Sequence, residues 1–341
     1  MHLSILIPVY NAEKHIINCL ESVSNQGISE ENYEVLLVND GSTDGSKEMI
    51  EDFIARKPNM VLENQKNQGN AATRNRLFDL AKGKYVYCLD ADDYLVPNTL
   101  SGILDFALSN HLDFIGFESR ETVKSNEDRT ASKLDVPEIK IAPGVSFLKE
   151  NSLPKVEVWW YLVKRELLKD YAIKMDNLVM ADVSFTYKLV LASQRMAILP
   201  IHAHWYFQSP VSIMRTRDNI AAHKLRLADA TYAMLLGFND LIVNPKKYHL
   251  NVDSTAMADL VQKRDYYAFF MILKYLRFEK DRKKIIKVVN TFEQRKMYPI
   301  KSTIAIHGSP TLVEKIINVS LNKKWILSLL IGLSSLIKVK K

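Results

Sequence analysis

Blocks of apolar residues separated by polar turns run along the first third of the chain and predict alternating strands and helices. Residues 3–9 are almost continuously apolar, as in a strand covered on both faces, and lead into Pro8-Val9-Tyr10-Asn11. A proline near the end of a strand forfeits no ladder bond. Residues 12–25 place Ile16, Leu20 and Val23 on one helical face. Residues 33–38 read as a second buried strand. The following Asn39-Asp40-Gly41-Ser42-Thr43-Asp44-Gly45 is a turn with a helix N-cap at Thr43 or Asp44. A helix over 46–55 and a short strand over 60–62 come next. Asn67-Gln68-Gly69-Asn70 then opens a helix that runs to about residue 81. Residues 85–89 and 113–117 are further strands, and 97–109 is a helix with Pro97 at its start. This order predicts an α/β fold with a Rossmann-like, doubly wound, mostly parallel central sheet and helices on both faces.

Past residue 117 the alternation breaks. Residues 118–141 are polar and charged, and read as a loop or hairpin over the active face. A short helix over 143–151 follows. The aromatic run Val158-Trp159-Trp160-Tyr161-Leu162-Val163 is either core or a stacking platform, and burial is the commoner use of such runs. A helix over 180–192 carries Asp182 in its first turn, where an acid is favourable on electrostatic grounds alone; the competing reading is a general base. Residues 195–199 form a strand. His202-x-His204 has no third soft ligand nearby and reads as packing, with His204 kept as a secondary candidate to help hold a metal or phosphate. Ser212-Ile213-Met214-Arg215 reads as a basic turn. Helical patterns then cover 220–240, 255–277 and 281–296 as a C-terminal appendage.

Charge changes the picture of this appendage. The chain has 46 basic and 39 acidic residues, and 18 of the basic but 5 of the acidic ones lie from Lys263 onward. The body, with 28 and 34, is mildly acidic, and the tail is strongly basic. Within the last stretch, 310–341, the apolar run 325–337 is flanked by Lys323 and Lys324 on one side and Lys338, Lys340 and Lys341 on the other. It is shorter than the ~20 residues a membrane span needs. A tryptophan and flanking lysines suit a helix lying in the interface of an anionic membrane; the alternatives are a packed terminal helix or a subunit contact, which leaves the oligomeric state open. The basic residues accompany leucines rather than interleaved stacking aromatics, which argues against nucleic acid. Two cysteines in apolar patterns, Cys19 and Cys88, read as core thiols of a reducing compartment. The opening residues lack a basic start and are interrupted by Pro8, unlike a secretory signal.

The candidate chemistry centres on Tyr85-Val86-Tyr87-Cys88-Leu89-Asp90-Ala91-Asp92-Asp93, a strand that runs into three carboxylates. Crowded acids repel unless a cation sits between them, and hard oxygen ligands favour Mg²⁺ or Mn²⁺. Ligands of open α/β sheets bind beyond the carboxyl ends of the strands, where Asp90 and Asp92 fall. Gly69 lets backbone approach a ligand closely, and Arg74 is within reach of a phosphate or ribose.

Taken in order, Pro8-Val9-Tyr10-Asn11, Asn39-Asp40-Gly41-Ser42-Thr43-Asp44, Asn67-x-Gly69 with Arg74-Asn75, and Asp90-Ala91-Asp92-Asp93 make the chain resemble glycosyltransferase family 2. The resemblance is close over residues 3–117, weaker to 215, and fades beyond 219. It implies a GT-A fold and an inverting sugar transfer from a nucleotide diphosphate sugar. By the same resemblance Pro8, Tyr10 and Asn11 line the nucleoside pocket, and Asp40 accepts a hydrogen bond from the base, usually uracil. Arg74 contacts ribose or phosphate, Asp90 lies beside ribose and metal, and Asp92 is the main ligand of Mn²⁺ or Mg²⁺. The family's base is the Asp of a Glu-Asp pair, which matches Asp182. Here the pair is Ala181-Asp182, a departure from the pattern.

These readings divide the chain into a transferase domain over 1–217, with a donor half (1–117) and an acceptor half (118–217), and a helical region over 218–341. The expected function is transfer of a sugar, from a UDP-sugar in the first instance, to a lipid-linked or oligosaccharide acceptor. Capsule, exopolysaccharide or O-antigen synthesis on the cytoplasmic face of the plasma membrane is the expected setting. The alternative is a nucleotide-sugar-binding subunit that has lost catalysis, for which Ala181 is the support. A nucleotidyltransferase would need a basic phosphate loop after the first strand, and the turn 8–11 has none.

Overall fold

The computed structural model describes residues 1–124, 138–150, 155–178, 180–208, 220–248, 250, 252–300 and 312–334. The middle of the polar stretch 118–141, the basic turn 212–215 and the last lysines lie outside them.

The alternating first third folds as β1 (Leu3–Val9), α1 (Ile16–Ser24), β2 (Tyr33–Asn39), α2 (Ser46–Ile54), β3 (Met60–Asn64), α3 (Asn70–Leu80) and β4 (Tyr85–Cys88). Then come β5 (Tyr94–Leu95), α4 (Thr99–Ser109), β6 (Phe114–Thr122), α5 (Gly144–Lys149), β7 (Tyr161–Lys164), α6 (Arg165–Asp170), α7 (Ala181–Ala192) and β8 (Met196–Phe207). The eight strands form one sheet in the order β3-β2-β1-β4-β7-β6-β8-β5. Its first half is parallel, with β1 between β2 and β4. The second half is mixed: β7 runs antiparallel to both β4 and β6, β5 is antiparallel to β8, and β6 pairs in parallel with β8. The mostly parallel sheet expected from the alternating first third is present, and it turns mixed from β7 onward in the sheet order, where consecutive strands are no longer joined by regular crossover helices.

β1 and β2 are buried along nearly their whole length, as the continuous apolar runs require. Leu3, Ile5, Ile7, Val35 and Leu37 join Ile16, Leu20, Val23, Tyr85, Tyr87 and Ile103 in one core. The aromatic run is core as well: Trp160 is fully buried and Trp159 nearly so. Trp160 lies so close over Gly116 of β6 that a Cβ there would fall 2.2 Å from its ring. Gly116→Ala must displace the tryptophan, and a loss of about 1–3 kcal/mol is expected, read as a lower midpoint in urea at unchanged slope.

Two helices start later than their sequence suggests, because side chains from elsewhere take their first N–H groups. α1 begins at Ile16 rather than residue 12; the N–H of Ala12 donates to Ser46 Oγ (2.8 Å) and that of Glu13 to Asp44 Oδ2 (3.1 Å). α4 begins at Thr99, two residues past Pro97. Gln26 Oε1 accepts from the N–H of Thr99 (3.3 Å) and of Leu100 (3.0 Å), capping α4 from a distant loop.

The chain divides into two compact units, one of residues 1–177, 181–210 and 246–251, the other of 178–180, 211–245 and 252–341. The second is helical: α8 (Ile220–Val243), α9 (Ser254–Phe278), α10 (Arg282–Gln294), α11 (Leu312–Asn322) and α12 (Lys324–Ser334). Asp253 and Asp281 cap α9 and α10 with their carboxylates. Inside it Arg264 is buried and donates to Asp265 and Asn239. Among the described residues no helix is long and apolar enough to cross a membrane.

Candidate active site

Because β1, β2, β3 and β4 are parallel neighbours, the loops after them open at one edge of the sheet, and side-chain hydrogen bonds sew these loops together. Asn11 takes a left-handed conformation (φ 51°), which asparagine tolerates. Its side-chain oxygen accepts from the N–H of Thr43 (2.8 Å), and its own N–H donates to Ser42 Oγ (3.0 Å). Tyr10 beside it is 54% exposed, and Pro8 stands opposite Val38 in the β1–β2 register. Asp40 is nearly buried and holds the next loop. Its Oδ1 accepts from Gln65 Nε2 (2.8 Å) and the N–H of Gln68 (2.8 Å), and its Oδ2 from the N–H of Gly69 (2.9 Å). A carboxylate oxygen has two lone pairs, so Oδ2 retains one for an outside donor. Gly69 adopts φ +86°, a conformation that side chains rarely take.

Arg74, in the second turn of α3, joins the two acids that the sequence placed 92 residues apart. Its Nη2 donates to Asp90 Oδ1 (2.5 Å) and its Nη1 to Asp182 Oδ1 (3.1 Å), with the arginine side chain only 4% exposed. Burial works against the guanidinium charge, but Asp90 and Asp182 outweigh it and hold the group ionised. Asp182 stands in the first turn of α7, a helix otherwise buried on all sides, with Ala181 buried before it. Burial lifts the Asp182 carboxyl above the usual range; Asp90 and Glu157 add to this and Arg74 opposes it. Its side chain remains 27% exposed, open to an approaching group.

The three acids after β4 have different fates. Asp93 turns inward and is fully buried; it accepts from the N–H of Phe207 at Oδ1 (2.8 Å) and from His204 Nε2 at Oδ2 (3.1 Å). His204, also fully buried, bonds Ser119 Oγ through Nδ1 (2.8 Å). Burial pushes this imidazole down to about 3, so the ring is neutral. Its two nitrogens are therefore committed to Asp93 and Ser119, and it braces β8 against the turn after β4 and against β6. A role in holding metal or phosphate does not agree with that. Asp93→Ala would orphan both the Phe207 N–H and the His204 ring, and about 1–3 kcal/mol of stability is expected to go with each, measured by denaturant unfolding. Sequence reasoning missed this brace, because its two halves are 111 residues apart and nothing local marks Asp93 from its neighbours.

Asp92 is half-buried and has no ion pair among the described residues. Burial, then Asp93 and Asp90, push its carboxyl up to about 7. A divalent cation relieves that strain, and Asp90 and Asp92 offer the hard oxygens such an ion prefers. Among the described residues no group of three His, Cys, Asp or Glu forms a complete cage. Asp90 and Asp92 would supply two of the oxygens of such an ion.

A parallel strand-helix half with its loops and carboxylates at the strand ends, followed by a mixed half, defines a GT-A-like α/β protein. The fold matches residues 1–349 of TarS from S. aureus, solved in complex with UDP-GlcNAc. The TM-score is 0.66 at 19% identity over 86% of this chain and 81% of that one, a likeness that speaks to the fold. Residues 4–171 match the model of Glycosyl transferase family 2. A Haemophilus influenzae protein described as an uncharacterized glycosyltransferase is 32% identical over 199 residues, covering 54% of this chain and 75% of that protein. The poly(ribitol-phosphate) beta-glucosyltransferase of Bacillus spizizenii is 30% identical over 215 residues, 60% of this chain. The chain spans only 32% of the length of that enzyme. The chain belongs to glycosyl transferase family 2.

Proposed function

We propose that the chain is an inverting, divalent-metal-dependent glycosyltransferase. It moves a sugar from a UDP-sugar to a lipid-linked glycan acceptor in the synthesis of a cell-surface polysaccharide, on the cytoplasmic face of the membrane. Residues 1–217 act as the transferase portion and 218–341 as its helical appendage. The observation that carries this reading is the Arg74 fork. It brings a strand-end carboxylate, Asp90, and the carboxylate of the first turn of α7, Asp182, to one guanidinium.

The roles follow from chemistry. The acceptor hydroxyl must lose its proton as the new bond forms, and Asp182 takes it; a carboxyl raised by burial is a stronger base than an ordinary one. Arg74 fixes Asp182 in place through Oδ1 and leaves the rest of the carboxylate to the acceptor. Tyr10, Pro8 and Asn11 bound the nucleoside, Asp40 offers its remaining lone pair to the base, and Gly69 lets backbone N–H groups come close. Asp92 and Asp90 would hold the divalent ion, which when bound neutralises the departing diphosphate as a Lewis acid. A single displacement needs one base facing the leaving group, in contrast to the paired carboxylates of a hydrolase.

Ala181 favours a second reading, a nucleotide-sugar-binding subunit without transfer, because the family's usual Glu beside the base is missing. A donor panel separates the two. The full chain with Mn²⁺ is given UDP-, GDP- and dTDP-sugars. A UDP-sugar near a hundred times its Kd is expected to raise Tm by about 2–4 °C, with slow donor hydrolysis. Stabilisation without any hydrolysis or transfer would favour the binding subunit, and no response to any nucleotide sugar would sink both.

A further inference from the structure

Among the described residues, the terminal helices of the second unit leave large apolar side chains exposed. α12 is apolar on two sides. Leu327 and Ile331 point inward and are buried, while Trp325, Ser328, Leu329 and Gly332, at spacing i, i+3, i+4, i+7, line an open apolar groove. Trp325 is 65% and Leu329 57% exposed; on α11, which packs beside α12, Ile316 and Val319 are similarly open. Trp325 and Leu329 share one open groove, and Ile316 and Val319 add exposed apolar side chains on the neighbouring helix; clustered exposure of this kind marks contact surfaces.

The charge of the terminal stretch of the sequence says what kind of surface it meets. From Lys301 to the end the chain has seven lysines and one acid, Glu314. Lys315 and Lys323 are exposed on the helical pair itself, Lys324 is exposed but paired with Glu293 (2.6 Å), and Arg282 of α10 donates to the carbonyl of Gly332 at the groove (2.7 Å). A second copy of the chain would bring the same lysines face to face, since a two-fold contact is self-complementary, and four residues a side fall well short of the ~800 Å² per partner of a stable dimer. An anionic lipid surface has the opposite charge and accepts a tryptophan and aliphatic side chains at headgroup depth. Each helix has 11 residues, about 16 Å, too short to span but long enough to lie in the plane.

We propose that the α11–α12 face, through Ile316, Val319, Trp325 and Leu329 with Lys315 and Lys323, is a docking surface for an anionic lipid bilayer. It would hold the chain where a lipid-linked acceptor lies, and for that purpose it rests on the reading above.

The test mixes the full chain with vesicles of pure phosphatidylcholine and with vesicles carrying about one-third phosphatidylglycerol. The chain is expected to sediment with the anionic vesicles at low salt, to be released by high salt, and to leave neutral vesicles largely unbound. Trp325→Ser with Leu329→Ser, and separately Lys315→Glu with Lys323→Glu, should each weaken binding by about tenfold or more while circular dichroism stays that of the parent. In the same variants the UDP-sugar thermal shift and donor hydrolysis should be unchanged, so a failure of the vesicle arm and a failure of the donor arm are told apart. Equal sedimentation of parent and both variants, or no preference for anionic lipid, overturns the surface. So does dimerisation by light scattering that Trp325→Ser with Leu329→Ser abolishes, which would give the face to a second copy.

Discussion

Asp182→Asn is expected to lower sugar transfer by about 10²–10⁴-fold and to leave donor affinity close to the parent value. Asparagine has nearly the same shape, and its oxygen still accepts from Arg74 Nη1, so the fork keeps its geometry. What disappears is the capacity to take a proton. The split between transfer and binding is therefore the readout: steady-state transfer on one side, calorimetric or thermal-shift titration with the UDP-sugar on the other. Parent-like turnover would remove Asp182 from the chemistry. A loss of binding equal to the loss of rate would make it a structural partner of Arg74. The acid limb of the pH–rate profile gives a second check. Since burial holds the Asp182 carboxyl above the usual range, activity should fall away on acidification sooner than an ordinary exposed aspartate would dictate.

Asp92→Asn is expected to abolish metal-dependent donor binding, with metal affinity falling by at least about 10–100-fold. The same substitution should not destabilise the metal-free chain. The reason is the sign of the shift. The Asp92 carboxyl sits at about 7 instead of 3.8, so the folded state favours its protonated form. That contribution is fully present below about pH 4 and is lost as pH rises through about 7, where the charge must be carried among Asp90 and Asp93. Asparagine removes the charge, so the pH slope of Tm between about 4 and 7 should flatten in the variant. In the parent, Mn²⁺ competes with a proton for the same oxygens, and its binding should tighten as pH rises through about 7. Donor binding that is indifferent to both chelation and Asp92→Asn would exclude a metal bridge at this turn.

The elements of the first unit were legible in the chain because burial there follows local pattern. Apolar runs with no polar interruption read as covered strands, and β1, β2 and β4 stand within a residue of where those runs put them. The mixed half was less legible. β7 is four residues long and sits between β4 and β6, antiparallel to both, and no local feature of Tyr161–Lys164 distinguishes direction. β8 continues through His202 and His204 to Phe207, past the strand expected at 195–199, because β6 and β5 supply hydrogen-bonding partners along its length. The terminal apolar run 325–337 was expected to be one helix, and α12 covers its described part; α11 precedes it, parted from it at Lys323.

At the site, the sequence by itself determined the inventory: a glycine with open backbone before α3, an arginine in its second turn, acids after β2 and β4, and an acid opening α7. Those positions follow from helix and strand periodicity and from turn chemistry, which act within a few residues. Only the tertiary structure decided which acid does what. Asp93 became a brace because β8 returned His204 and the Phe207 N–H to it. Asp90 and Asp182 became a pair because one buried guanidinium had to be neutralised from two sides. Burial and charge pairing depend on what the fold brings within a few ångströms, and separation along the chain carries almost none of that information.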